Sequence, residues 1–266
     1  MSIKAAHMRD KNLIRGFWMN NLDVGVHMWT SDKNMVCLPA ACYLFNKFWP
    51  YKQQVKILGY AVPQMKLPDN FEFISLGTQR GPSYWSDDMI DYYSSCNNQY
   101  IYQIWEDCLI AKPVNNKILK LVEEVAAIDK NFFKFNLTAD VSTRPHTVLK
   151  SGKSADLILA GQNTRYRLST QHCVWDRELF LQKLEKGQTP WQFELNDQAS
   201  LNDGLNIYST KREYAIYMCH LYKNGTKRSD WYNCVYGNNG NKTHNIVGLD
   251  EQTKDLLERN KWVPEL

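Results

Sequence analysis

Short apolar runs and amphipathic segments alternate along the first 140 residues. VGVHMWT (24–30), VKILGYA (55–61) and FEFISLG (71–77) are compact runs bounded by polar residues, the pattern of strands. Between the first two, CLPAACYLFNKFW (37–49) repeats its apolar residues at helical spacing. A second helix is predicted near SDDMIDYYSSC (86–96), with Ser86 as its N-cap, and a third near NNKILKLVEEVAA (115–127), after Pro113. The run YIYQIWEDCLI (100–110) reads as a buried strand that delivers two adjacent carboxylates, Glu106 and Asp107, and then turns apolar again. Strands alternating with helices predict an α/β fold with a mostly parallel central sheet and helices on both faces.

Beyond residue 140 the rhythm changes. FFKFNLT (132–138), DLILAG (156–161) and YAIYM (214–218) are strand-like and read as an α+β elaboration on the same sheet. The chain is therefore read as a single domain over 1–266, with a first half to 140 and a second half from 141.

Composition narrows the class. At 44% hydrophobic and 13% aromatic residues, the 266-residue chain can bury enough apolar surface to offset its ordering entropy. MSIKAAHMRD at the start has no signal-peptide core, and VCLPAACYLF (36–45) is too short to cross a bilayer, so neither secretion nor membrane spanning is expected. Seven dispersed cysteines lack C-x-x-C or zinc-finger spacing and are read as reduced core residues of a cytosolic protein. The sequons at Asn136, Asn224 and Asn241 are then chance occurrences. A net charge of +4 allows an acidic partner without demanding one.

In an open α/β sheet, ligands sit beyond the carboxyl ends of the strands. The first strand ends in Thr30, Ser31, Asp32 and Lys33, the second in Gly59 and Tyr60, the third in Gly77, Thr78, Gln79 and Arg80, and the fourth in Glu106 and Asp107. Hydroxyls and a carboxylate suit a ribose or base, cations suit a diphosphate, and paired acids suit a divalent metal. Neither a P-loop nor a G-x-G-x-x-G is present, so metal is expected to neutralise the phosphates.

WTSDKN (29–34), ACYLFNKFWP (41–50), LPDNFEFISLGTQRGP (67–82), YWSDDMI (84–90), YQIWEDCLIAKPVN (102–115), FKFNLTAD (133–140), YRLSTQHCVWDRELFLQKLEKGQTPWQFEL (166–195) and GLDEQTKDLLERNKWVPE (248–265) follow one another in an order that resembles nucleotide-sugar glycosyltransferases of the GT-A fold. The resemblance is to a group encoded by tailed bacteriophages, some of which glycosylate hydroxymethylated pyrimidines in DNA. It implies a Rossmann-like sheet, a UDP-sugar donor (UDP-glucose first) and Mn²⁺ or Mg²⁺ as cofactor. It also implies the cytoplasm of an infected bacterial host as the working compartment.

The resemblance assigns the metal to an acidic motif, here Trp105-Glu106-Asp107 in place of Asp-x-Asp, with Asp107 the stronger and Glu106 the weaker ligand. His244 is a third candidate from the C-terminal region. Thr30, Ser31, Asp32, Lys33, Gly77, Arg80, Trp85 and Trp105 fall to the donor. TPWQFE (189–194) resembles the segment that presents the acceptor-side acid, with Glu194 as general base and Trp191 walling the sugar. The alternative for this segment is an amphipathic strand or helix start with Trp191 and Phe193 in the core and Glu194 exposed. Gln171 and Trp175 fall on the acceptor side, while His172 reads equally as a core or capping residue.

The stretch KREYAIYMCHLYKNGTKRSDWY (211–232) interleaves cations, Lys227 and Arg228 among them, with aromatic residues. This suits nucleic acid, although a hairpin with its tip at Asn224-Gly225 explains it as well. The leading expectation is transfer of a sugar to 5-hydroxymethylcytosine in DNA. Transfer to a surface glycan or lipid-linked oligosaccharide is the second, and a non-catalytic nucleotide-sugar or nucleic-acid binding protein the third.

Overall fold

The computed structural model describes residues 22–153, 155–196, 201–223, 226–234 and 248–263. Its centre is a nine-stranded sheet in the order β3-β2-β1-β4-β9-β6-β10-β8-β7. The strands are β1 (Val24–Trp29), β2 (Val55–Gly59), β3 (Phe71–Ser75), β4 (Tyr100–Trp105), β6 (Phe132–Asn136), β7 (His146–Ser151), β8 (Asp156–Ala160), β9 (Cys173–Asp176) and β10 (Asn206–Lys211). The strands β3, β2, β1 and β4 run parallel, so their carboxyl ends share one edge. Strand β9 enters antiparallel between β4 and β6, which makes the sheet mixed although largely parallel in direction.

Helices cover both faces, as the alternation of patterns predicts. On one face α1 (Leu38–Phe48) and α3 (Asn116–Ile128) pack Leu44, Phe45, Leu119 and Val122 against Val26, Met28, Tyr102 and Ile104. On the other, α2 (Trp85–Ser94), α4 (Arg177–Lys183) and α5 (Pro190–Glu194) enclose Met89, Tyr93, Phe180 and Phe193 with Trp29, Ile101 and Trp175. Strand residues divide between the two cores by period 2, as two-sided burial requires. A last helix, α6 (Glu251–Arg259), is capped by Asp250, whose side chain accepts from the Thr253 amide at 2.8 Å.

Three expectations change. The run 100–110 is two strands: β4 ends at Trp105, Glu106 and Asp107 form a turn, and β5 (Cys108–Ile110) leaves the main sheet to pair with β11 (Met218–His220). Ser86 is not an N-cap; it lies buried in the first turn of α2, where its Oγ accepts the Gln188 amide at 2.8 Å. The strand expected over 214–218 begins at Met218. The hairpin expected around Asn224-Gly225 does form, with β12 (Tyr222–Lys223) pairing with β13 (Thr226–Lys227). Among the described residues no helix is long and apolar enough to cross a membrane.

Candidate active site at the parallel strand ends

The loops after β1, β2 and β3 are stitched to one another. The Asp32 amide donates to Gln79 Oε1 at 3.1 Å and Asp32 Oδ1 accepts the Ala61 amide at 2.9 Å. Gly59 is required where β2 ends, because a Cβ there would lie 2.7 Å from Thr30 Cγ2. Gly77 takes the left-handed backbone, φ +89°, in the turn that follows β3. Thr30 is buried, Ser31 is half-buried, and Asp32 and Lys33 are exposed at the rim. Arg80 packs on the Tyr84 ring at 4.4 Å and pairs with Asp88, which also accepts the Tyr60 hydroxyl at 2.8 Å.

The acidic turn is pinned from three sides. The Glu106 amide donates to Trp29 O at 3.2 Å, the Leu221 amide donates to Asp107 O at 2.9 Å, and His172 Nε2 donates to Cys108 O at 2.7 Å. His172 can do this because its Nδ1 accepts the Tyr102 hydroxyl at 2.7 Å, and burial lowers its pKa to about 4, so the ring stays neutral. His172 is thus a core residue that holds the turn.

The two acids differ. Glu106 is 1% exposed, and its Oε2 has no hydrogen-bond partner. Burial and the Asp107 charge push its carboxyl well above the ordinary range, while the Asn34 side chain and the Ser31 backbone hydrogen-bond to it and oppose that shift. Asp107 is 15% exposed and faces His220, with Nε2 3.2 Å from Oδ2. The register of β5 with β11 makes this possible by setting His220 directly opposite Cys108. Oxygen and imidazole nitrogen donors at this spacing fit a divalent cation. His220 is the histidine brought to the acids, whereas His244 lies outside the described residues.

Trp105 stands where the more common motif has its first acid, and it does different work. Its Nε1 donates to Thr170 O and Thr170 Oγ1, both at 3.1 Å, and its ring stacks on buried Trp85 at 6.4 Å. Glu194 Oε1 in turn accepts the Thr170 amide at 2.6 Å and the Thr170 hydroxyl at 2.7 Å. Glu194 therefore stands two hydrogen bonds from the residue that precedes the acidic turn. Burial raises its pKa, and the Thr170 hydrogen bonds and Lys134 partly offset the rise.

The segment 189–194 bears out the core-packing alternative for Phe193 and overturns it for Trp191 and Glu194. It is a helix with a capping box at Thr189 and Gln192; Trp191 is 65% exposed, Phe193 is in the core, and Glu194 is half-buried. Trp175, expected on the acceptor side, is wholly buried against Phe133, Phe180 and Phe193. Gln171 is half-buried and accepts from the Thr138 hydroxyl at 3.1 Å. Arg228 pairs with Asp230 at 2.8 Å, and Lys227 is half-buried beside it.

Lys134 has no counterpart in the sequence reading. It is fully buried, donates to Arg167 O at 3.1 Å and to Ser169 O, and lies 4.6 Å from the Trp175 ring centroid. Burial lowers its pKa. It anchors the irregular segment that carries Thr170, and so holds Glu194 in place.

No family model matches the sequence, and no curated protein matches it. Among solved structures, the chain is similar to S. aureus TarS residues 1–349, with a TM-score of 0.45 and 12% identity over 73% of this chain and 59% of that one. It is also similar to CMP:2-keto-3-deoxy-manno-octonic acid synthetase in complex with CTP, with a TM-score of 0.38 and 11% identity over 70% of this chain and 88% of that one. A third likeness is to the bifunctional IspDF of Campylobacter jejuni, with a TM-score of 0.37 and 12% identity over 70% of this chain and 48% of that one. The chain thus spans 59% of the length of the TarS fragment, and each likeness is distant.

Proposed function

We propose that the protein is a metal-dependent nucleotide-sugar transferase whose donor sits over the carboxyl ends of β1 to β4. The observation that carries this reading is the Trp105–Thr170–Glu194 chain of hydrogen bonds, which sets a carboxylate of raised pKa beside the turn that carries Asp107, with His220 of β11 facing that acid. A divalent ion held by Asp107 and His220 would act as a Lewis acid on the departing diphosphate. Glu194 takes the proton of the attacking hydroxyl, a task for which a raised carboxyl pKa is suited. Trp191, three residues earlier on the same helix, offers an exposed aromatic face to a sugar ring. Ser31, Asp32 and Lys33 lie along the same edge for the nucleoside diphosphate.

The acceptor is a hydroxyl compound. An acceptor in DNA draws on the basic stretch 211–232, but Arg212 already holds Asp156 at 2.7 Å and Arg228 holds Asp230. With those charges neutralised, a glycan hydroxyl, which needs no phosphate contacts, is favoured over 5-hydroxymethylcytosine. The test incubates the protein and Mn²⁺ with a panel of nucleoside diphosphate sugars and reads nucleoside diphosphate release. Glycans and hydroxymethylated DNA are then added as acceptors at low and high salt. Donor turnover is expected, with product on a glycan and no salt-sensitive binding of DNA. A complete lack of turnover with every donor would refute the reading.

A further inference from the structure

Beside Asp107 and His220 lies a third donor. Cys108 is a buried thiol paired directly with His220 across the β5–β11 ladder, and its Sγ lies 3.6 Å from Asp107 Oδ1. The donor atoms of Asp107, Cys108 and His220 all lie within 4.8 Å of one another. An ion bonded to sulfur at about 2.3 Å and to oxygen or nitrogen at about 2.0–2.2 Å in tetrahedral geometry separates S and O by about 3.6 Å and N and O by about 3.3 Å. The observed separations are of that size, 3.6 Å from Cys108 Sγ to Asp107 Oδ1 and 3.2 Å from His220 Nε2 to Asp107 Oδ2, with the thiol and the imidazole each meeting a different oxygen of the one carboxylate.

We propose that Asp107, Cys108 and His220 form a mixed oxygen, sulfur and nitrogen centre that takes a borderline-soft ion, Zn²⁺ before Co²⁺ and Mn²⁺, and discriminates against Mg²⁺. This rests on the reading of the acidic turn as a metal site and specifies which ion enters it. A thiolate selects soft ions, whereas Mg²⁺ demands near-octahedral oxygen ligation and gives up its waters reluctantly. Three protein ligands with an open fourth position is the arrangement of a catalytic zinc site rather than a structural one. Access for that fourth ligand exists, since the Asp107 and His220 side chains are 15% and 33% exposed.

A bound cation is the largest local charge and deprotonates a coordinating thiol outright. Cys219 does not join the centre, because it alternates to the opposite side of β11 and its Sγ sits 3.9 Å from Cys234 Sγ.

The experiment titrates the full chain with Zn²⁺, Co²⁺, Mn²⁺ and Mg²⁺ by calorimetry and records the Co²⁺ absorption spectrum, with no donor or acceptor present. Zn²⁺ is expected to bind at least about 100-fold more tightly than Mg²⁺, and Co²⁺ to give a sulfur-to-cobalt charge-transfer band. Cys108→Ser should abolish that band and weaken Zn²⁺ more than about tenfold while Mg²⁺ changes less than about twofold. His220→Ala, which leaves the buried thiol in place, should weaken Zn²⁺ and keep the band at higher Co²⁺; circular dichroism of both variants verifies folding. The band should also survive Cys219→Ser. A wild-type spectrum with no band, a band that survives Cys108→Ser, or Mg²⁺ competing equally with Zn²⁺ would overturn the assignment. Metal binding of this kind with no turnover of any donor would uphold the centre and refute only the transferase reading.

Discussion

The two sides of the central sheet hold their working residues by different means. On the β3-β2-β1-β4 side, the loops are fixed chiefly through backbone groups at the ends of apolar strands, as where Thr30 N donates to Leu58 O at 2.9 Å and Leu76 N to Gly59 O at 2.7 Å, with the exposed Asp32 and Gln79 side chains accepting further amides. On the β9-β6-β10 side, the irregular stretch between β8 and β9 is fixed by fully buried polar side chains, one reaching its carbonyls and two of its own reaching carbonyls outside it. Lys134 holds Arg167 O and Ser169 O, Arg167 holds Leu205 O at 2.7 Å, and His172 holds Cys108 O. The first side rests on chain geometry and the second on buried polar bonds. A buried bond of this kind stabilises little when made and costs much when half-broken.

Removing the group that the second side exists to hold should have the largest effect. In a donor turnover assay with a hydroxyl acceptor, Glu194→Gln is expected to lower kcat by about 10²- to 10⁴-fold with little change in donor KM. Next comes the anchor itself. Lys134→Met leaves two carbonyls unpaired and should cost about 2–4 kcal/mol in urea denaturation. Ile57→Val, on the parallel side, should cost about 1 kcal/mol. Equal costs for the two would erase the distinction between the sides.

A third effect belongs to the first side, where one buried polar group breaks the pattern. His27 lies fully inside the α2-facing core, opposite Gln103, and burial, with Lys56 adding to it, lowers its pKa to about 3. The unfolded chain takes up this proton near pH 6.5, while the folded protein resists it to about pH 3. Stability from this group is therefore complete above pH 6.5 and falls with acidification at about 1.4 kcal/mol per pH unit across that window. His27→Gln should make this limb shallower by about 1.4 kcal/mol per pH unit in a pH series of urea midpoints, with buried His172 leaving a limb of its own down to about pH 4. The smallest effect falls on Trp191, 65% exposed. Trp191→Ala should change stability by less than about 0.5 kcal/mol while raising the acceptor KM.

What could be read from the sequence follows the same division. Strands β1 to β4 and helices α1 to α3 carry strong periods, so the four strand ends, Glu106 and Asp107 among them, were visible as a candidate ligand edge. Glu194 was visible as the acid of the segment that the resemblance assigns to the acceptor side, while the side to which Trp191 turns stayed open, because one turn of helix gives too little periodicity to orient. His220 and Cys108 were hidden because their pairing joins residues far apart in the chain, and a short edge ladder has no local signal. Lys134 was hidden for a different reason. A lysine in FFKFN reads as the solvent-facing member of an alternation, and only the carbonyls of a distant loop allow it inside.

The pairing of β5 with β11 also bears on how the chain assembles. Asp107 and Cys108 meet His220 only after roughly a hundred intervening residues have folded back, so that contact forms with a high loop-closure cost. An ion shared across it would act as a removable staple between the two ends of a long loop. Its stabilising effect would grow with free ion concentration, and chelation would first loosen the segment around β11, where limited proteolysis would cut.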